Sequence, residues 1–194
     1  YYFAGIWDII TFLVKTIDCI VKWKWGSISN HTYKCIDLKN KDLTDKTELH
    51  LIDAGIAINS AYPLVLRPER KVKLILSFDF SEGDPFETIK KASQYCKENK
   101  LSFPEIGAIN WDKDKKNPED CYIVQGNGGP TVMHFPLFNT KNCGGNIAEW
   151  QKRYSTFNIS YEEKDIEGLL EAAKINVRNN VKKIRQELET AARS

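Results

Sequence analysis

The residue with the clearest chemical prospects is Asp53, in the run Leu49-His50-Leu51-Ile52-Asp53-Ala54-Gly55. The apolar residues before it predict a short buried strand. Gly55 predicts a tight turn after it, because glycine reaches backbone conformations that other residues avoid. A carboxylate there stands at the carboxyl edge of a strand, where α/β sheets present their functional groups. In that position it can take the proton of a hydroxyl nucleophile with no histidine between them. The plain alternative is an ordinary turn in which the aspartate bonds its own backbone, and on these residues alone that reading is the stronger.

Other candidates carry less. Asp79, in Ser77-Phe78-Asp79-Phe80, also ends a predicted strand and competes with Asp53. His134 alternates with apolar residues and reads as structural. Arg67, Arg70 and Lys71 could meet a phosphate head group, although an exposed basic turn explains them as well. Gly126-Asn127-Gly128-Gly129 lacks the Lys-Ser/Thr ending and the following helix of a phosphate loop, so it reads as a hairpin connection. Three widely separated histidines and five cysteines without Cys-x-x-Cys spacing argue against a zinc site and a disulfide framework. The sequons at Asn30 and Asn158 matter only in a secreted protein.

The elements that must position these residues follow from periodicity. Residues 26–48 are polar and lysine-rich and read as loop, and Ile56–Leu66, with Pro63, reads as irregular or as an edge segment. Val72–Phe78 is the clearest strand, apolar enough to be buried on both faces. Asp84-Pro85 predicts a helix start, with Asp84 as cap, and Phe86, Ile89, Ala92 and Cys96 mark its buried face through about Asn99. Cys121–Gln125 and Thr131–Phe135 form a predicted hairpin. A long helix is predicted from about Asp165 to Ala192. Its apolar face is Ile166, Leu169, Leu170, Ala173, Val177, Val181, Ile184 and Leu188, with Asn179, Asn180, Lys182, Lys183 and Arg185 among its polar positions. That polar side is read as solvated, with a lipid-facing basic patch as the alternative.

With 194 residues, 42% hydrophobic and 28% charged, the chain reads as one globular α/β unit or part of one. A net charge of +2 gives no footprint for nucleic acid. The segment Phe3–Trp25 is strongly apolar, yet Asp8, Lys15 and Asp18 interrupt it and disfavour a spanning helix. A helix buried or packed on a partner is expected there, with an interfacial membrane helix as the alternative. The start at Tyr1 rather than Met suggests a chain cut from something longer.

A resemblance reweights these readings. Leu49–Asn59, running into Tyr62-Pro63-Leu64-Val65-Leu66-Arg67-Pro68 and Leu74–Ser81, resembles the cytosolic (group IV) phospholipase A2 family. So do Phe103-Pro104, Cys121-Tyr122, Met133–Phe138 and Ser155-Thr156-Phe157-Asn158. Gly83–Ile89, Cys143-Gly144-Gly145 and Gly5-Ile6-Trp7 look most like its gamma branch. The resemblance implies a patatin-like three-layer α/β catalytic domain, a mixed sheet flanked by helices, of which residues 1–194 are the C-terminal part. It implies a Ser–Asp dyad hydrolysing fatty-acyl esters of glycerophospholipids at a membrane surface, with Asp53 as the catalytic aspartate. It implies a cytoplasmic enzyme peripherally associated with intracellular membranes, calcium-independent, with no cofactor and no metal expected in this chain. One departure is decisive: the Gly-x-Ser-Gly-Ser nucleophile motif is missing, and Ser27, in Gly26-Ser27-Ile28-Ser29, is only an imperfect imitation. The isolated chain is therefore expected to be inactive. The family's prenylation box is also missing from Ala191-Ala192-Arg193-Ser194. The non-enzymatic alternative is a truncated remnant that binds membranes or partners through Ile6–Val21 and the last helix.

Overall fold

The structure, a computed structural model, describes residues 6–22, 26–107, 109–126 and 128–193. The chain divides into two units, Tyr1–Asp53 and Ala54–Ser194.

The first unit opens with α1 (Ile6–Val21), so the predicted helix is present, while the ends of Phe3–Trp25 lie outside the described residues. It is not buried within the chain: Trp7 is 77% exposed, Phe12 69% and Val21 77%. Residues expected to be loop contain β1 (Gly26–Ser29), which pairs antiparallel with β2 (Glu48–Leu51), Ser27 lying opposite His50. Gly-Ser-Ile-Ser carries no strand signal of its own, so only the pairing reveals it. The connection holds a short α2 (Lys41–Thr44), capped by the Asn40 side chain. Asn30 organises this connection. Its Nδ2 donates to the carbonyls of Leu43 and Lys46, both at 2.6 Å, and its Oδ1 accepts from the Thr32 amide at 2.9 Å. Both amide hydrogens of the first sequon are thus spent inside the fold.

The second unit starts with a 3-10 turn at Ala54–Ile56 and α3 (Tyr62–Val65), with Pro63 in its first turn, where a missing amide hydrogen costs little. Then comes β3 (Leu74–Asp79), α4 (Glu87–Glu98), α5 (Trp111–Asp114), β4 (Tyr122–Val124), β5 (Thr131–Pro136), α6 (Ile147–Arg153) and α7 (Glu163–Arg193). The sheet order is β3-β5-β4: β5 is central, parallel to β3 and antiparallel to β4. The hairpin is as the alternation predicts, and the mixed sheet with its helices is an α/β architecture.

The core forms where α4 meets this sheet. Phe86, Ile89, Ala92 and Cys96 are all buried, as their spacing predicts, together with Val124 and Val132. Each large apolar side chain buried this way stabilises the fold by about 1.5–3 kcal/mol. The Phe86 ring stands 4.7 Å from Trp111 and 5.0 Å from Tyr122, centroid to centroid. Asp84 is not the cap residue itself: Phe86 occupies that position, and Asp84 Oδ1, two residues earlier, accepts the Phe86 amide at 2.9 Å. Burial pushes the Asp84 carboxyl up, but that amide and the ammonium groups of Lys90 and Lys115 outweigh it and hold it below its ordinary value.

Two expectations about burial are corrected. β3 is not covered on both faces; it alternates, with Ser77 and Asp79 inward and Leu76 and Phe78 exposed. On α7 the buried positions are Ala172, Asn176 and Asn180, while Ile166, Leu170, Val177, Val181 and Leu188 of the expected apolar face are exposed. Asn176 is buried because it has work at the end of β5. Its Nδ2 donates to the Pro136 carbonyl at 2.8 Å and its Oδ1 accepts from Asn139 at 2.5 Å. Asn142 Nδ2 adds bonds to the Leu137 and Ala172 carbonyls at 2.6 and 3.0 Å. Polar side chains were needed there to satisfy backbone carbonyls leaving the strand.

Candidate active site

Asp53 closes the first unit, two residues beyond β2 and directly before the 3-10 turn. The strand leading to it is not the buried strand expected: β2 belongs to the two-stranded ribbon, and Leu51 and Ile52 are both exposed. Asp53 itself is exposed. The turn after it is well closed, since the Ala54 carbonyl accepts the amides of Ala57 and Ile58 at 3.0 and 2.9 Å. The carboxylate thus follows a strand end at a tight turn, the local geometry expected of it, and the strand it follows pairs only with β1 among the described residues.

On the same ribbon Ser27 Oγ lies 2.9 Å from His50 Nδ1, on exposed, directly paired residues. Hydroxyl and imidazole so placed have the contact of a nucleophile and its base, but cross-strand polar pairs of this kind are also ordinary sheet stabilisers. The sequence offered no sign of the contact, because it depends on the pairing of β1 with β2.

The other candidates separate cleanly. Arg67, Arg70 and Lys71 lie on an exposed 3-10 turn, Pro68–Arg70, closed by Lys71 in the left-handed region at φ 48°. Arg67, Lys71 and Lys73 line a hollow of about 590 Å³ with Glu187 and Thr190. Glu187 accepts from Gln125 Nε2 at 3.0 Å. His134 is wholly buried in the middle of β5, in keeping with a structural part, and its Nε2 is 2.7 Å from the Pro85 carbonyl. Burial holds the His134 pKa below the usual imidazole value, opposed by the Pro85 carbonyl and the Asp79 charge. Asp79 ends β3 only 3% exposed, with Oδ1 accepting the Ser81 amide at 2.9 Å.

Beyond β3 the chain runs between two further hollows, both lined by Phe80. One, of about 410 Å³, is bounded by Asn59, Ala61, Tyr62, Ser77 and Phe78. The other, of about 310 Å³, is bounded by Leu137, Phe138, Tyr154, Leu169 and Ala173. Periodicity could not have disclosed them, since their walls come from distant segments. Among the described residues no group of three or more His, Cys, Asp or Glu could hold a metal ion. No described helix is long and apolar enough to cross a membrane.

The mixed sheet flanked by helices is an α/β architecture consistent with a patatin-like domain. Comparison with solved structures agrees. The chain superposes on human GIVD cytosolic phospholipase A2 with a TM-score of 0.67 and 30% identity, covering 77% of this chain and 22% of that one. It also matches that protein in complex with methyl gamma-linolenyl fluorophosphonate and terbium chloride, with a TM-score of 0.62 and 32% identity over 74% of this chain and 24% of that one. In sequence it is 47% identical to human cytosolic phospholipase A2 gamma over 187 residues, 95% of this chain and 35% of that protein. The mouse protein of the same name is 42% identical over 96% of this chain and 32% of its own length. No family model matches. Over nearly its whole length the chain is similar to the cytosolic phospholipase A2 family, and to its gamma members in particular. It spans about a third of the length of those relatives.

Proposed function

We propose that this chain is the C-terminal part of the catalytic domain of a calcium-independent phospholipase A2, in which Asp53 is the base of a Ser–Asp dyad. The reading is supported by the family resemblance of the motifs Leu49–Asn59 and Tyr62–Pro68 around and after Asp53, within a 47% identity to a human phospholipase over 95% of this chain. The nucleophile belongs to a Gly-x-Ser-Gly-Ser segment that these 194 residues do not contain. Asp53 takes the serine proton as the hydroxyl oxygen attacks the acyl carbonyl carbon. Collapse of the tetrahedral oxyanion breaks the ester bond, and the leaving alkoxide of the lysophospholipid takes the proton from Asp53. Water then attacks the acyl-serine with Asp53 again accepting a proton, which returns to the serine as the fatty acid leaves. The two hollows flanking Phe80 are of a size that suits a lipid chain. A related structure whose ligand is a fatty-chain fluorophosphonate supports a hydroxyl nucleophile.

The test is hydrolysis of phospholipid vesicles, with and without a calcium chelator, by the polypeptide that carries the upstream serine segment. Asp53→Asn is expected to lower kcat by a factor of about 10⁴ or more, as loss of a dyad base does. The 194-residue chain alone is expected to show no turnover. Robust hydrolysis by that chain, abolished by Asp53→Asn, would overturn the inactivity reading.

The exposed apolar residues of α1 favour a second reading, a non-catalytic module that binds cytoplasmic membrane surfaces or a partner. Co-sedimentation with vesicles, without hydrolysis even when the upstream region is restored, would select it.

A further inference from the structure

Among the described residues six buried polar side-chain atoms lack a hydrogen-bond partner, and four of them belong to side chains gathered at one place: Tyr62 Oη, Ser77 Oγ, Asp79 Oδ2 and His134 Nδ1. Their residues are 2%, 6%, 3% and 0% exposed. Ser77 lies directly opposite His134 in the parallel pair, and Asp79, two residues on, shares its face. Asp79 is the charge that His134 feels, and Tyr62 feels both Asp79 and the Ser77 hydroxyl without a well-formed bond to either. Protein interiors leave few such groups unsatisfied, so four together call for a common explanation.

Their chemistry is complementary. A carbonyl only accepts, so the 2.7 Å contact with Pro85 places the ring hydrogen on Nε2 and leaves Nδ1 of the neutral ring as a lone pair. Asp79 has Oδ1 engaged by the Ser81 amide and Oδ2 to spare. The orphans are therefore two acceptors, Nδ1 and Oδ2, and two hydroxyls with hydrogens to give. One water molecule accepts two hydrogen bonds and donates two, which is the full complement of this set.

The cluster is also wired outward. Ser81, held by Asp79, accepts at its Oγ from Asn59 Nδ2 at 2.7 Å, and Asn59 lies in the segment that follows Asp53 along the chain. His134 reaches the turn before α4 through Pro85. We infer that Tyr62, Ser77, Asp79 and His134 enclose one internal water, and that this network makes Asp79 and His134 positioning residues for the segment after Asp53. The water site stands on its own; only its catalytic consequence rests on the proposed role of Asp53.

The test has two arms. In the chain itself, nitrogen NMR of His134 at neutral pH is expected to show a neutral ring protonated on Nε2. An ordered, slowly exchanging water is expected to give cross-relaxation to protons around Ser77. A ring protonated on both nitrogens at neutral pH, bonding Asp79 directly, would overturn the water site, as would a ring with no such water. Ser81→Ala cuts the link to Asn59 and is expected to speed amide exchange in residues 54–61 at least tenfold, with the His134 nitrogen shifts unchanged. Unaltered exchange there would overturn the positioning role. In the polypeptide carrying the serine, Asp79→Asn is expected to lower kcat about tenfold to a hundredfold with KM little changed. Full activity in Asp79→Asn beside a dead Asp53→Asn also overturns positioning. Full activity in Asp53→Asn itself removes the dyad instead and leaves the water site to the NMR result.

Discussion

His134 donates from Nε2 to the Pro85 carbonyl oxygen across 2.7 Å, joining the centre of β5 to the turn that starts α4. This bond needs the neutral or the charged ring alike, but burial favours the neutral one. The unfolded chain binds a proton at its imidazole near pH 6.5, whereas the folded chain binds it only at lower pH. Unfolding therefore takes up a proton between the two values, and stability rises with pH across that window. The contribution is complete above about pH 6.5 and is lost as pH falls toward the folded-state value, at a slope of up to about 1.4 kcal/mol per pH unit. Urea unfolding at several pH values checks this, and His134→Gln should flatten the dependence.

Phe86 sits where α4, α5 and β4 meet, with its ring against Trp111 and Tyr122. Phe86→Ala removes a wholly buried ring and leaves a cavity that the packed Trp111 and Tyr122 rings cannot readily fill. A loss of about 3–5 kcal/mol is expected, read from the urea midpoint.

Gly129 has backbone against it. A Cβ there would fall 2.9 Å from the Phe103 carbonyl carbon and 3.1 Å from its Cα and N. Backbone cannot swing aside as a side chain does, so Gly129→Ala is expected to destabilise by about 1–3 kcal/mol. Gly107→Ala, where nothing lies within 4 Å, serves as the control in the same thermal melt.

Asn30 holds the connection between β1 and β2 through bonds to Leu43, Lys46 and Thr32. Asn30→Ala takes the amide donor from the Lys46 carbonyl and leaves the Leu43 carbonyl to the Thr32 hydroxyl alone, at a cost of about 1–3 kcal/mol. Amide exchange across residues 30–47 should accelerate, while residues 54–194 of the second unit keep their protection.

Local periodicity carried much of the fold. β3, α4, the β4–β5 hairpin and α7 each repeat a pattern within a few residues, and each is present close to its expected bounds. What failed was non-local. β1 exists only because β2 lies beside it, and the buried face of α7 follows the carbonyls of Pro136 and Leu137 rather than its own apolar residues. Asp53 was legible as a strand-end carboxylate, and the motif around it as a family signature. The exposed ribbon beneath it was not, because Leu49-His50-Leu51-Ile52 has the same apolar look in a ribbon as in a buried sheet. Asp79 and His134 were each noticed singly; their meeting depends on the register of two strands that are far apart in sequence.

That register bears on how the chain acquires its shape. β4 can find β5 across a short connection, within microseconds if hairpins are a guide. β3 must wait until the chain has passed through α4, α5 and β4 before its parallel partner exists. Closing so long a loop is entropically slow, and on a ribosome it cannot begin until β5 has been synthesised. Until then the strand of Leu74–Asp79 stays unpaired along both edges, and the side chains it contributes to the sheet have no partners. The parallel pair is accordingly the step at which a nascent chain of this kind stands most exposed to aggregation.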